Sequence, residues 1–342
     1  MQNLILASTL LLASAAPAAT PPPRDCIECS MEKGRVSLCP PHRNEEASVL
    51  REAKKGFASK STLARRDAMK AAAQLTDAHA NAPSPKVASL LCEGLTDESM
   101  KVRELALGHL LEGQHPETTV RGLLEATDDM LDRWKELHRD AVKYLAAQAK
   151  GKPIDTLEME SMKVYVEVPA TCSQLLAAMG RTNDDRCAAK LVKVLEAEFD
   201  ELPGPFFVAA AGAAIELGSA QSVEAVAEFL ARLGEALENG KIEPLYPESQ
   251  VMTLGRAALT LPAPAASSID FYAVAHTLEA AAKDRGLDTG PGWNLAEAEA
   301  WESWFEANAD TFPVKLGRCD APVRGGIPKP LASSVFEEDQ DD

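Results

Sequence analysis

The sequence predicts an all-α protein, a solenoid of antiparallel helix pairs preceded by a small, loop-rich segment that carries cysteines. Three observations lead there. Aromatic residues make up only 5% of the 342 residues while Ala and Leu fill long stretches, which suits close helix packing better than a β-sandwich or barrel. From about Glu45 onward, apolar residues recur at i, i+3, i+4 and i+7 in helix-length stretches separated by Gly, Pro, Asn or Asp. Those stretches also repeat, and two-helix units that recur with a steady period stack on one another because each has an apolar flank that only its neighbour covers.

Taken in order, residues 1–19 read as a signal peptide. Leu4 to Ala13 is apolar, and Ser14 to Ala19 has the small-residue spacing of a cleavage site near Ala16 to Ala19, with the α-amino group as the only positive charge before it. The apolar run is too short to stay in a bilayer, and no later segment is long and apolar enough to span one. A lipoprotein anchor is rejected because Cys26 follows Pro21-Pro22-Pro23-Arg24-Asp25 instead of a cleavage motif. Residues 20–44 form a Pro/Cys-rich segment in which Gly34, Pro40 and Pro41 discourage regular structure. Residues 45–312 form the repeat domain. Residues 313–342 are an irregular tail that ends in acidic Glu337 to Asp342.

Four copies of the unit are visible. The first runs from Arg66 to Leu75 and then Val87 to Leu91, and the second from Val102 to Leu111 and then Val120 to Leu124, whose helix is expected to be short. The third runs from Ala170 to Gly180 and then Ala188 to Leu195, and the fourth from Phe207 to Leu217 and then Val223 to Leu230. Between the second and third, Asp128 to Val168 reads as an insertion with a long helix, Asp132 to Ala149, and a strand-like alternation at Val164-Tyr165-Val166-Glu167-Val168. An insertion of that kind projects from a solenoid edge and is the first candidate contact surface.

The stretch Asp97-Glu98-Ser99-Met100-Lys101-Val102-Arg103 resembles the HEAT motif, in which an inter-helical Asp precedes, by six positions, an Arg that opens the second helix. The resemblance covers about residues 60 to 235 and implies an exported, HEAT-like (armadillo-type) array in which Asp97 caps the helix and interacts with Arg103, a structural pair. Trp301, Trp304 and Phe305, at i, i+3 and i+4, are similar to the Trp-rich helix that closes such arrays. They are expected to cap the last unit; a ligand-stacking platform is the other use of such a stripe.

The constellation with ligand-like spacing is Cys26-x-x-Cys29, then Cys39-x-x-His42, three thiols and an imidazole that suit tetrahedral zinc. An oxidising compartment favours a disulfide among these cysteines and the ligand count favours metal; the disulfide is preferred, with zinc as the alternative and no other cofactor expected. No βαβ pattern surrounds Cys26-x-x-Cys29, which weakens a redox role. Cys92, Cys172 and Cys187 read as small core residues, with a Cys172–Cys187 bridge conceivable. His109, His115 and His138 lack a nucleophile in a family pattern, Glu158 and Glu160 read as solvated charges, and no H-E-x-x-H, P-loop or G-x-S-x-G occurs.

The net charge of −17 repels phosphate backbones and disfavours nucleic acid as a ligand. The expected function is a non-catalytic binding scaffold, periplasmic or secreted, for a protein or peptide that carries a basic patch. The alternative is a zinc-dependent or redox module seated in the N-terminal Cys/His cluster, with the helices as support.

Overall fold

The computed structural model describes residues 30–32, 35–37, 39–78, 85–112, 115–148, 156–199, 201–240, 251–254, 257–260, 268–287, 290–291 and 297–313. These residues are helical in the main. Eleven α-helices are described: α1 (Pro40–Phe57), α2 (Thr62–Ala78), α3 (Pro85–Gly94), α4 (Met100–Glu112), α5 (Pro116–Gln148), α6 (Thr156–Met179), α7 (Asp185–Leu195), α8 (Gly204–Leu217), α9 (Ala220–Glu238), α10 (Ser268–Asp284) and α11 (Ala300–Asn308). Two small antiparallel hairpins accompany them, β1 (Ser30–Glu32) with β2 (Arg35–Ser37) and β3 (Val251–Leu254) with β4 (Ala257–Thr260). No described helix is long and apolar enough to cross a membrane.

The helices pack in two successions. In one, α2 packs on α4, α4 on α6, α6 on α8 and α8 on α10; in the other, α3 packs on α5, α5 on α7, α7 on α9 and α9 on α11. Across them, α1 packs on α2, α3 on α4, α5 on α6, α7 on α8 and α9 on α10. One continuous apolar cluster runs from Leu50 to Phe312. Helix α8 is touched from both successions, and its sequence fits that position. Phe206, Phe207, Ala210, Ala211, Ala214 and Ile215 are all buried, so the helix is apolar nearly all round, as a central helix must be.

Local signals set the helix ends. Asp184 caps α7 by accepting the Arg186 N–H at 2.9 Å, and Ser219 caps α9 by accepting the Ser222 N–H at 3.2 Å. Gly218 closes α8 in the left-handed region at φ 64°, where its N–H donates to the Ala214 carbonyl. Gly180 follows α6 at a close approach: a Cβ there would sit 2.8 Å from Cα and 2.9 Å from the carbonyl oxygen of Ala213 in α8.

Several expectations are corrected. The stretch Val164–Val168 is not a strand; it lies inside α6. Its five-residue alternation is overridden by the buried face that follows, Val168, Cys172, Leu175, Leu176 and Met179, spaced three and four apart. The helix begun by Val120–Leu124 is not short, because Val120, Leu123, Ala126, Met130 and Trp134 extend one buried stripe along the 33 residues of α5. Among its described residues, Asp128 to Val168 is therefore the last part of α5 and the first half of α6. Of the helix pairs read in sequence, α2 does pack on α3 and α8 on α9, but α5 packs on α6 rather than on α4, and α7 packs on α8 more than on α6. In the N-terminal segment, Pro40 and Pro41 do not prevent structure but start α1, where no intrahelical donor is needed.

Candidate functional site

One set of converging polar groups in the described residues lies at the first inter-helix turns; another joins Arg186 to the carboxylates of Asp184 and Glu117. Arg65 of α2 donates through Nη1 to the Ser59 carbonyl at 3.0 Å and the Lys60 carbonyl at 3.1 Å. Arg103 of α4 does the same to the Asp97 carbonyl at 2.7 Å and the Glu98 carbonyl at 3.0 Å. In both turns the acceptors lie six and five residues upstream. The turns match further: Ser59 Oγ accepts the Ser61 N–H at 3.1 Å and Asp97 Oδ1 accepts the Ser99 N–H at 2.7 Å.

Each arginine then reaches forward along the chain. Arg65 Nε donates to Asp97 Oδ2 at 2.8 Å, and its Nη2 lies 2.7 Å from Glu98 Oε1. Arg103 Nε donates to Thr171 Oγ1 in α6 at 2.9 Å, and its Nη2 stands 3.6 Å from Glu167 Oε2. Burial pulls the Arg103 pKa down, and the Glu167 carboxylate opposes that shift. Asp97 and Arg103 are thus both at the turn, but they meet through the Asp97 backbone carbonyl, and the Asp97 carboxylate serves Arg65. Sequence reasoning missed Arg65. The signal was present, since Ser59-x-Ser61-x-x-x-Arg65 repeats Asp97-x-Ser99-x-x-x-Arg103 with Ser in place of Asp. These side chains are occupied in joining helices.

At the N-terminus, Cys39 sits in the N-cap position of α1 with no side-chain capping bond, and its Sγ lies 3.2 Å from Nδ1 of His42. Both are buried, at 6% and 8% exposure. Cys26 and Cys29 lie outside the described residues, as do Cys319 and the acidic tail. Among the described residues, no group of three or more His, Cys, Asp or Glu is placed to hold a metal. The Cys92 thiol donates to the Thr118 carbonyl at 3.5 Å and is pushed up to about 12 by burial. Cys172 is a free, buried thiol whose pKa burial also raises, so it forms no bridge to Cys187.

At the other end, Trp301, Trp304 and Phe305 are buried where α11 packs on α9. The two indoles meet edge to face at 5.5 Å, and Phe305 stacks on Phe312. Gly290 lies so close to the Trp301 ring that no Cβ fits between them. Trp301 is 0% exposed, so its ring is spent on packing and offers no open face for a ligand.

The three helical histidines are dispersed. His138 stacks on Trp134 at 5.4 Å, His109 lies 3.8 Å from Glu112, and His115 precedes α5 with its Nε2 buried and without a hydrogen-bond partner. Glu158 and Glu160 fall in the first turns of α6. A feature not anticipated from sequence is an open groove of about 510 Å³ between α8 and α10, lined by Ile215 and Glu216 from one helix, Thr277, Ala281 and Asp284 from the other, and Arg285 just beyond. Arg285 lies over the Phe312 ring at 5.4 Å and Arg181 approaches Glu216 at 3.7 Å, so the groove carries guanidinium groups as well as carboxylates. Compared with protein-family models, with curated proteins and with solved structures, the chain matches none of them.

Proposed function

We propose that the chain is a HEAT-like α-solenoid, exported to the periplasm or the exterior, that acts without catalysis by presenting its helices to a protein or peptide partner. The observation that carries this reading is the equivalence of Arg65 and Arg103. Two arginines 38 residues apart make the same pair of carbonyl bonds in the same kind of turn and then reach to the next unit, which is how stacked repeats behave. Neighbour-to-neighbour packing in both helix successions supports the same conclusion.

The groove between α8 and α10 is the surface assigned to the partner. It sets Ile215 and Ala281 beside the carboxylates of Glu216 and Asp284 and the guanidinium of Arg285, with Arg181 reaching Glu216 from outside, and the −17 net charge adds the long-range field that attracts a basic segment. The test begins with photo-cross-linking from position 277 of the full chain, followed by binding of the purified captured partner. Saturable binding that weakens as salt rises is expected, and the Glu216→Lys/Asp284→Lys double variant should lower affinity about tenfold. A chain that retains no saturable partner, or a partner indifferent to both salt and charge reversal, overturns the reading.

A further inference from the structure

We infer that, before any partner arrives, the α8–α10 groove is filled by the chain's own Val314-Lys315-Leu316-Gly317-Arg318, which the partner must displace. This autoinhibitory occupant rests on the reading of that groove as the partner's surface.

The last described residues deliver the chain to the end of the groove. Phe312 is buried and stacks on Phe305, and the Pro313 carbonyl accepts the Ala220 N–H at 2.9 Å. That bond holds Pro313 beside the turn at which Gly218 closes α8. Arg285 ties the same place to the groove. It lines the groove, lies over the Phe312 ring at 5.4 Å, and stands so close to Gly218 that a Cβ there would meet its Nη2. Residue 314 therefore starts where the groove starts, and no long loop has to close.

The reach is short. From Thr277 to Asp284 the α10 wall is about 10 Å long, at a helical rise of about 1.5 Å per residue. An extended chain advances about 3.3 Å per residue, so three or four residues beyond Pro313 traverse it.

The chemistry of the segment matches that of the walls. Val314 and Leu316 are apolar, as are Ile215 and Ala281, and Lys315 and Arg318 bring cations to the two carboxylates. Glu216 is already approached by Arg181 at 3.7 Å, whereas among the described residues no cation is paired with Asp284. In a chain of net charge −17, residues 314–331 carry Lys315, Arg318, Arg324 and Lys329 against the single acid Asp320. The basic segment that the molecule's field attracts is thus present in the chain itself. A short tether gives it an effective concentration in the millimolar range, so contacts too weak to hold a free peptide suffice. The partner then binds with its intrinsic affinity reduced by the fraction of chains whose groove is open.

The test places a photo-cross-linking residue at position 277 of the full chain, illuminates it alone at several protein concentrations, and maps the products by mass spectrometry. Cross-links within one chain to residues 314–318 are expected, at a yield independent of concentration. Lys315→Glu/Arg318→Glu should lower that yield about fivefold, as should Asp284→Lys, and Asp284→Lys combined with Lys315→Glu should restore much of it. The apolar cluster ends at Phe312, so helical circular dichroism should persist in the Lys315→Glu/Arg318→Glu chain. Cross-links that avoid residues 314–318, or a yield that rises with concentration and so marks a second copy as the occupant, overturn the proposal. An internal cross-link with no saturable partner leaves the occupant standing and removes the partner reading; a captured partner with no internal cross-link does the reverse.

Discussion

The α2–α4–α6 contacts and the α6–α8–α9 contacts join their helices by opposite means. In the first, Arg65, Asp97, Arg103 and Thr171 are hydrogen-bonded through the interior, so the joints are directional and polar. In the second, Phe207 stacks on Phe229 at 5.4 Å, Phe199 meets both edge to face, and Gly180 lets α6 close on Ala213. The polar joint sets register because a guanidinium accepts only a few geometries. The apolar joint sets it through shape, and supplies more of the stability because it buries area with no desolvation of charge.

If that division is right, the largest loss comes from the aromatic joint. Phe207→Ala should cost about 3–5 kcal/mol in urea unfolding, since Phe207 is fully buried between two other rings. Phe207→Leu should recover most of it. A loss under about 1 kcal/mol would show that the aromatic cluster does not hold the C-terminal half together.

Asp97→Ala should follow at about 2 kcal/mol, because it removes the buried one of the two carboxylates on Arg65, leaving the exposed Glu98, and removes the acceptor of the Ser99 N–H. The informative variant is the double one. Arg65→Met/Asp97→Leu should regain much of the loss, as expected when a buried ion pair is replaced by apolar groups of similar volume. If the double variant is as unstable as the single, the network contributes stability in its own right and the contrast between the halves weakens. Arg65→Lys should not substitute, for lysine lacks the fork that serves two carbonyls and a carboxylate at once.

The same contrast governs how much could be read from the chain. The apolar period marked α2 and α4 well, because one face of each is buried at three- and four-residue spacing. It failed at α5, where Asp128 and Asp129 looked like the end of a helix yet occupy the outward side of a stripe that continues to Trp134. It failed again at Val164–Val168, where alternation over five residues cannot compete with the long helical face that follows. At the polar joint, Asp97 and Arg103 were legible as a motif, but the partner of the Asp97 carboxylate was not, since Arg65 lies 32 residues upstream and is joined only by the fold. The α8–α10 groove left no trace in sequence. It is formed by residues of two helices more than 60 positions apart, each unremarkable in its own stretch.

Gly180→Ala sharpens the comparison from the steric side. Its new Cβ would meet the Ala213 backbone, which cannot swing aside as a side chain would, so α6 and α8 must separate by several tenths of an ångström. A loss of about 1–3 kcal/mol is expected. Ala213→Gly in the same chain should return only part of it, because the closest atoms are Cα and the carbonyl oxygen, not the Ala213 methyl.

The smallest effect should be one of sign, read as the pH dependence of stability. Before α5, His115 is held below its ordinary pKa by burial, and its Nε2 has no hydrogen-bond partner. The unfolded chain therefore binds this proton more readily, so stability is complete above about pH 6.5 and falls as pH drops below it. On α9, Glu228 is shifted the other way, raised first by partial desolvation and then by Glu224, Glu302 and Glu196. Here the folded chain binds the proton more readily, so acidification toward the ordinary carboxylate range adds stability, weakly because the group is exposed and salt screens it. His115→Gln should flatten the acid loss, while Glu228→Gln should remove the opposing gain and steepen it. Identical acid slopes in the two variants would mean that the halves do not differ in how they carry charge.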